Sequence, residues 1–63
     1  MPIVQIDLIE GRTVEQKRKM AQKVTEAIVE ATGCPPGAVR IIIRDMPTQH
    51  YAEAGVLRYD QTR

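Results

Sequence analysis

The 63-residue chain has no tryptophan or phenylalanine, two tyrosines, one cysteine (Cys34) and one histidine (His50). A lone cysteine excludes an intrachain disulfide, and one cysteine with one histidine cannot complete the four-ligand set of a structural zinc site. A chain this short buries only about 60% of the surface it exposes when unfolded, so a monomeric core would be marginal. Disulfides, metals and self-association are the usual supplements at this size, and self-association is the one left. Hydrophobic residues still make up 43% of the chain. With so few aromatics that apolar surface is aliphatic, and it is expected to be shared between subunits.

An excess of one charge is missing too. Nine Lys and Arg stand against eight Asp and Glu, for a formal net charge of +1, and the two signs are mixed along the chain. No basic stripe results, so a nucleic-acid partner is not expected. The longest aliphatic run, Ile41-Ile42-Ile43, falls far short of the roughly 20 residues a membrane span needs, and the amino terminus lacks the basic and apolar regions of a secretory signal. The chain therefore reads as cytoplasmic, without a membrane partner, which an unpaired thiol also fits.

What is present is ordered. Val4, Ile6 and Leu8 alternate with Gln5 and Asp7, and Ile3 and Ile9 add apolar ends on the second face; this is the period-two pattern of a first strand. Glu10-Gly11-Arg12 breaks it, and Thr13-Val14-Glu15-Gln16 forms a capping box that starts a helix. Met20, Ala21, Val24, Ala27, Ile28 and Ala31 make one helical stripe, Gly33 supplies a left-handed cap, and Pro35-Pro36-Gly37 forbids continuation. Ala38 to Met46 is predicted as a second strand, with Val39, Ile41 and Ile43 on one face and Ile42 between Arg40 and Arg44 on the other. Strand, helix and strand make a βαβ unit, expected to be parallel and right-handed.

Pro47 ends the second strand, and Thr48 to Gly55 is predicted as a loop in which Ala52, Ala54 and Gly55 permit close backbone approach. A short hairpin or tail follows. Val56 and Leu57 are candidates for pairing with another subunit, and Arg58 to Arg63 carries little signal. Without repeats, low-complexity tracts or a linker, residues 1–63 are expected to form one α+β domain. Two strands cannot cover one helix and both of their own faces, which again demands neighbours.

The position with most chemical content is Pro2. Initiator methionine is commonly removed before proline, which would leave a secondary amine at the head of the first strand. An ordinary α-amino group titrates near roughly 7.7 to 8.0, and apolar surroundings or nearby cations lower that value toward neutrality. Such a base suits proton transfer beside a carbonyl. Most chains that begin Met-Pro have no catalytic proline, so Pro2 alone decides nothing.

Pro2 opening an alternating strand, Leu8-Ile9-Glu10-Gly11-Arg12-Thr13 with Glu15-Gln16-Lys17, Val39-Arg40-Ile41-Ile42-Ile43, and His50-Tyr51-Ala52 followed by Gly55 together resemble the 4-oxalocrotonate tautomerase family over nearly the whole chain. The resemblance implies a homohexamer, a trimer of dimers whose βαβ units join into four-stranded sheets, with active sites assembled from several subunits and no cofactor or metal. It also implies roles. Pro2 would be the base, Arg40 would hold a carboxylate and polarise the 2-keto oxygen, and Arg12 would grip the distal carboxylate of a keto or enol acid. Tyr51 would help form an apolar wall, and the Ile9 backbone amide would order the substrate oxygen or a water. Two arginines suit a dicarboxylate because each guanidinium offers a planar fork to a carboxylate and stabilises developing negative charge.

Glu53 departs from the apolar residue many tautomerases carry at its position, and resembles the water-activating glutamate of the related trans-3-chloroacrylic acid dehalogenases. On that reading, protonated Pro2 acts as an acid in a hydratase. Thr13 with Glu15-Gln16-Lys17-Arg18, and Glu30-Ala31-Thr32-Gly33, fit the same relatives. Against it, the second substrate-gripping arginine of those enzymes would fall at Ile9. Two non-enzymatic readings are an inactive oligomeric scaffold, if Met1 is retained, and a ribbon-helix-helix protein, which the strand-like second half argues against. His50 reads as a surface or hydrogen-bonding residue and Cys34 as a loop spacer rather than a nucleophile.

Overall fold

A computed structural model describes residues 1–61, so the end of the weakly patterned tail, Thr62 and Arg63, lies outside the described residues. The alternating segment forms β1 (Ile3–Ile9), and the capped segment forms α1 (Val14–Thr32). The capping box is present in full: the Thr13 hydroxyl accepts from the Gln16 amide at 3.0 Å, and the Gln16 side chain accepts from the Thr13 amide at 2.9 Å. Two amide groups of the helix start that lack helical partners are thereby satisfied, an arrangement worth about 1 kcal/mol. At the other end Gly33 takes the left-handed conformation, φ 78°, and its N–H closes on the Val29 carbonyl at 2.9 Å.

The second strand, β2 (Arg40–Met46), begins two residues later than predicted. Pro36–Ala38 instead forms a 3₁₀ turn, held by Ala38 N–H to the Pro35 carbonyl and Val39 N–H to the Pro36 carbonyl. Pro36, with its φ already fixed, is suited to start such a turn, which keeps Ala38 out of the ladder. β2 pairs parallel with β1 over its full length, from Ile3 opposite Arg40 to Ile9 opposite Met46.

The predicted loop also carries more structure than expected. Thr48–His50 is a 3₁₀ turn, and β3 (Ala52–Glu53) pairs antiparallel with β4 (Val56–Leu57). Val56 and Leu57 thus find strand partners within their own chain. Ala54 and Gly55 both have positive φ, 52° and 82°, as the two-residue hairpin turn that matches strand twist requires. A single helical turn, α2 (Arg58–Gln61), follows where the sequence carried little signal.

One face of the parallel pair, Val4, Ile6 and Leu8 with Ile41 and Ile43, is half-buried, as are Met20, Ala21, Val24 and Ile28 of the α1 stripe, whereas its Ala27 and Ala31 are exposed. Lys17 of α1 pairs with Asp45 of β2. The opposite strand face leaves Ile3 62% and Ile42 42% exposed. Among the described residues no side chain is buried at all.

The dimensions agree. The chain measures 44 × 24 × 14 Å with a radius of gyration of 14.9 Å, where about 11 Å is typical of a compact chain of this length. Its accessible surface is 4866 Å², against about 4,100 Å² for a compact monomer of this mass. Covering what remains exposed of each of these isoleucines gains about 1 to 2 kcal/mol, which a neighbouring subunit can supply. We expect the protein to sediment well above its 7.1 kDa chain mass, with an unfolding midpoint that rises with protein concentration. A monodisperse folded monomer at micromolar concentration contradicts this.

Candidate active site

Parallel pairing decides which residues meet, because both strands start at the same end of the sheet. Pro2, half-buried, stands at the head of β1, and its carbonyl accepts the Arg40 N–H at 2.9 Å. The Arg40 side chain is exposed, and its Nη1 donates to the Gly37 carbonyl in the 3₁₀ turn before β2. A proline and an arginine separated by most of the chain are thus neighbours, and the guanidinium is tethered by the turn that delayed the strand.

The remaining sequence-predicted residues lie at the far end. Seven strand residues span about 20 Å. There β1 finishes at Ile9, opposite Met46, and the Glu10 N–H extends the ladder to the Met46 carbonyl at 2.9 Å. Leu8 and Ile9 point to opposite faces, as successive strand residues must. Leu8 lines a depression of about 230 Å³ on the α1 side with Arg12, Gln16, Lys17 and Met20. Ile9 lines another, of about 270 Å³, with Asp7, Met46, Tyr51 and Arg58. Gly11, φ 126°, makes the bend that carries Arg12 to the helix side.

Tyr51 enters the second depression from the short connection between the Thr48–His50 turn and β3. Its carbonyl accepts the Arg58 N–H at 2.8 Å, and its hydroxyl donates to Glu53 Oε2 at 2.8 Å. The Arg58 guanidinium lies over the ring, 5.6 Å from its centre, within cation–π range. The hydrogen bond to Glu53 holds the Tyr51 hydroxyl above the usual phenol range. The negative charge of Glu53 and a little desolvation add to this, and Arg58 opposes it.

One chain therefore brings together Pro2 with Arg40, and Ile9 with Tyr51 and Glu53, but sets the groups at opposite ends and leaves Arg12 across the sheet from Ile9. His50 is exposed at the end of its turn, and the half-buried Cys34 is a free thiol. Among the described residues no cluster of three His, Cys, Asp or Glu side chains could hold a metal ion. Arg58 was not singled out by the sequence, since one arginine after Val56-Leu57 matches no motif and acquires its place only when the hairpin folds back.

The family model for the tautomerase enzymes matches residues 2–60. The chain belongs to the tautomerase family. Among tautomerase relatives, it is 55% identical to a probable tautomerase of Streptococcus pneumoniae over 58 residues, 92% of this chain and 97% of that one. It is 48% identical to the 2-hydroxymuconate tautomerase of Comamonas testosteroni over 56 residues, 89% of each. Its fold superposes with a TM-score of 0.91 on the heterohexamer 4-oxalocrotonate tautomerase of Chloroflexus aurantiacus J-10-fl, at 32% identity over the whole of both chains. As a tautomerase, the chain is an isomerase.

The Tyr51–Glu53 contact in this tautomerase has a direct readout. In a Tyr59→Phe background, where Tyr51 is the one remaining tyrosine, phenolate absorbance should titrate above the ordinary value of about 10. Glu53→Gln should move that titration downward, because removing the carboxylate removes the charge that disfavours phenolate. An unchanged or higher titration rules out the contact in solution.

Proposed function

We propose that this chain, once Met1 is removed, is a cofactor-independent tautomerase in which the amine of Pro2 is the general base for 1,3- or 1,5-keto–enol proton transfer. The substrates are 2-hydroxydienoates and 2-oxo acids such as 2-hydroxymuconate. The observation that carries the reading is the adjacency of Pro2 and Arg40, fixed by the 2.9 Å backbone bond between them. The 2-hydroxymuconate tautomerase relative supports the substrate class.

Neutral Pro2 takes the enol O–H proton. The electron pair closes the C2 carbonyl, the double bonds shift, and the prolinium returns the proton to C3 or C5. Nothing is consumed. Arg40, whose backbone is bonded to that of Pro2, disfavours the protonated amine when its guanidinium turns toward the site, and stabilises the oxyanion that develops at C2. Met1 is 80% exposed and precedes β1, so its removal sacrifices little packing. While it remains, the Pro2 nitrogen is an amide without basicity.

The complete site draws on more than one subunit of a homohexamer built as a trimer of dimers, in the cytoplasm. The absence of any buried side chain among the described residues and the division of Pro2, Arg40 from Ile9, Tyr51 and Arg12 support self-association, and the heterohexameric Chloroflexus relative supports six subunits. In it Arg12 grips the distal carboxylate, Tyr51 walls the substrate and the Ile9 amide orders its oxygen. The hydratase reading of Glu53 is less favoured, because Oε2 of its carboxylate already accepts the Tyr51 hydroxyl.

The pH dependence tests the base. The kcat/KM for enol-to-keto conversion should rise with pH through an apparent pKa below roughly 7.7 to 8.0, because only neutral proline accepts the proton. Pro2→Ala, or retention of Met1, should remove most of the activity, and full activity in either form overturns the proposal. The arginines divide differently. Arg40→Ala should lower kcat and kcat/KM together, whereas Arg12→Ala should chiefly raise KM for a dicarboxylate. Wild-type kinetics in both variants contradicts these roles.

A further inference from the structure

We infer that Arg58 is a second cation for the distal carboxylate of the substrate, so that this tautomerase selects dicarboxylates with Arg58 as well as Arg12. The inference rests on the tautomerase reading for the identity of the substrate, and on the geometry of the Ile9 depression for the residue. Of the side chains lining that depression, Asp7, Ile9, Met46, Tyr51 and Arg58, only Arg58 carries positive charge. Arg12 belongs to the depression on the other side of the sheet.

Arg58 is also held for the task. Its N–H is bonded to the Tyr51 carbonyl at 2.8 Å, which fixes the backbone, and its guanidinium rests over the Tyr51 ring. A cation–π contact of this kind leaves the N–H donors of the group available. Among the described residues none of the ion pairs, and no side-chain hydrogen bond, includes the Arg58 guanidinium. The Glu53 carboxylate, also bound to Tyr51, accepts the hydroxyl of that residue through Oε2. Asp7, on the strand side of the depression, would repel a substrate carboxylate, so the carboxylate is drawn toward the Arg58 side. An oriented, half-buried fork with free donors beside an apolar floor of Ile9 and Met46 suits a carboxylate at the end of an unsaturated carbon chain.

The test separates charge recognition from catalysis. Arg58→Gln keeps the aliphatic stem and the backbone bond, and Arg58→Lys keeps the charge without the fork. With 2-hydroxymuconate, Arg58→Gln should raise KM roughly fivefold or more at nearly constant kcat, with partial recovery in Arg58→Lys, as loss of a charge-assisted hydrogen bond predicts. With the monocarboxylate 2-hydroxy-2,4-pentadienoate both variants should match the unsubstituted protein. Sedimentation of each variant as the same oligomer excludes a folding defect. Calorimetric titration with adipate, a dicarboxylate that cannot tautomerise, should show the same loss of affinity in Arg58→Gln. Equal changes for the dicarboxylate and the monocarboxylate, or unaltered adipate affinity, overturn the role of Arg58. The tautomerase reading fails separately, on turnover by Pro2→Ala, whatever adipate does.

Discussion

The parallel pairing of β1 with β2 in a chain too short to cover it is the constraint on which everything else depends. Parallel strands need a long crossover, and α1 with its two caps supplies it. One helix can cover one face only. The other face meets Tyr51 and Arg58 only at its Ile9 end and leaves Ile3 and Ile42 turned outward among the described residues, and the same pairing puts Pro2 and Arg40 at one end and Ile9 at the other. The exposed strand face and the separation of Pro2 and Arg40 from Ile9 therefore share one geometric origin. Any association that covers the open face also changes which ends of which sheets lie together.

Electrostatics at the two ends differ in kind. At the Pro2 end the side chain fixed nearby is a cation, tethered to a backbone carbonyl and so not neutralised by a carboxylate. At the Tyr51 end both signs are present, but they are organised around the ring: Glu53 on the hydroxyl and Arg58 over the face. One oxygen of the Glu53 carboxylate accepts the Tyr51 hydroxyl, so the departure at Glu53 makes this wall polar and places a charge at the edge of the ring.

Much of this was legible in the sequence because it rests on local rules. Alternation gave β1, the Thr13 to Gln16 spacing gave the helix start, and Gly33 before Pro35-Pro36 gave its end. The meeting of Pro2 and Arg40 is expected from the family resemblance alone, because the strand read as starting at Ala38 puts Arg40 two residues in; their adjacency follows from the register once β2 starts at Arg40. The start of β2 was misplaced because a 3₁₀ turn and an extended segment after proline look alike in sequence. Tyr51 and Glu53 went unpaired for a related reason. Residues two apart share a face only in a strand, and this stretch reads as loop because β3 is two residues long. Arg58 was illegible altogether, since its contact with Tyr51 depends on the Ala54-Gly55 turn, where Ala54 takes an uncommon positive φ that composition does not advertise.

That turn ties the wall to the assembly. The Ala54-Gly55 reversal sends β4 back along β3 and delivers Arg58 to the Tyr51 carbonyl, while Val56 and Leu57 remain 47% and 36% exposed. The hairpin therefore presents apolar side chains outward on the strand that runs directly into Arg58, the residue bonded to the Tyr51 carbonyl. A subunit that covered Val56 and Leu57, on the assembly proposed above, would pack against β4 and so lie next to the Tyr51 wall.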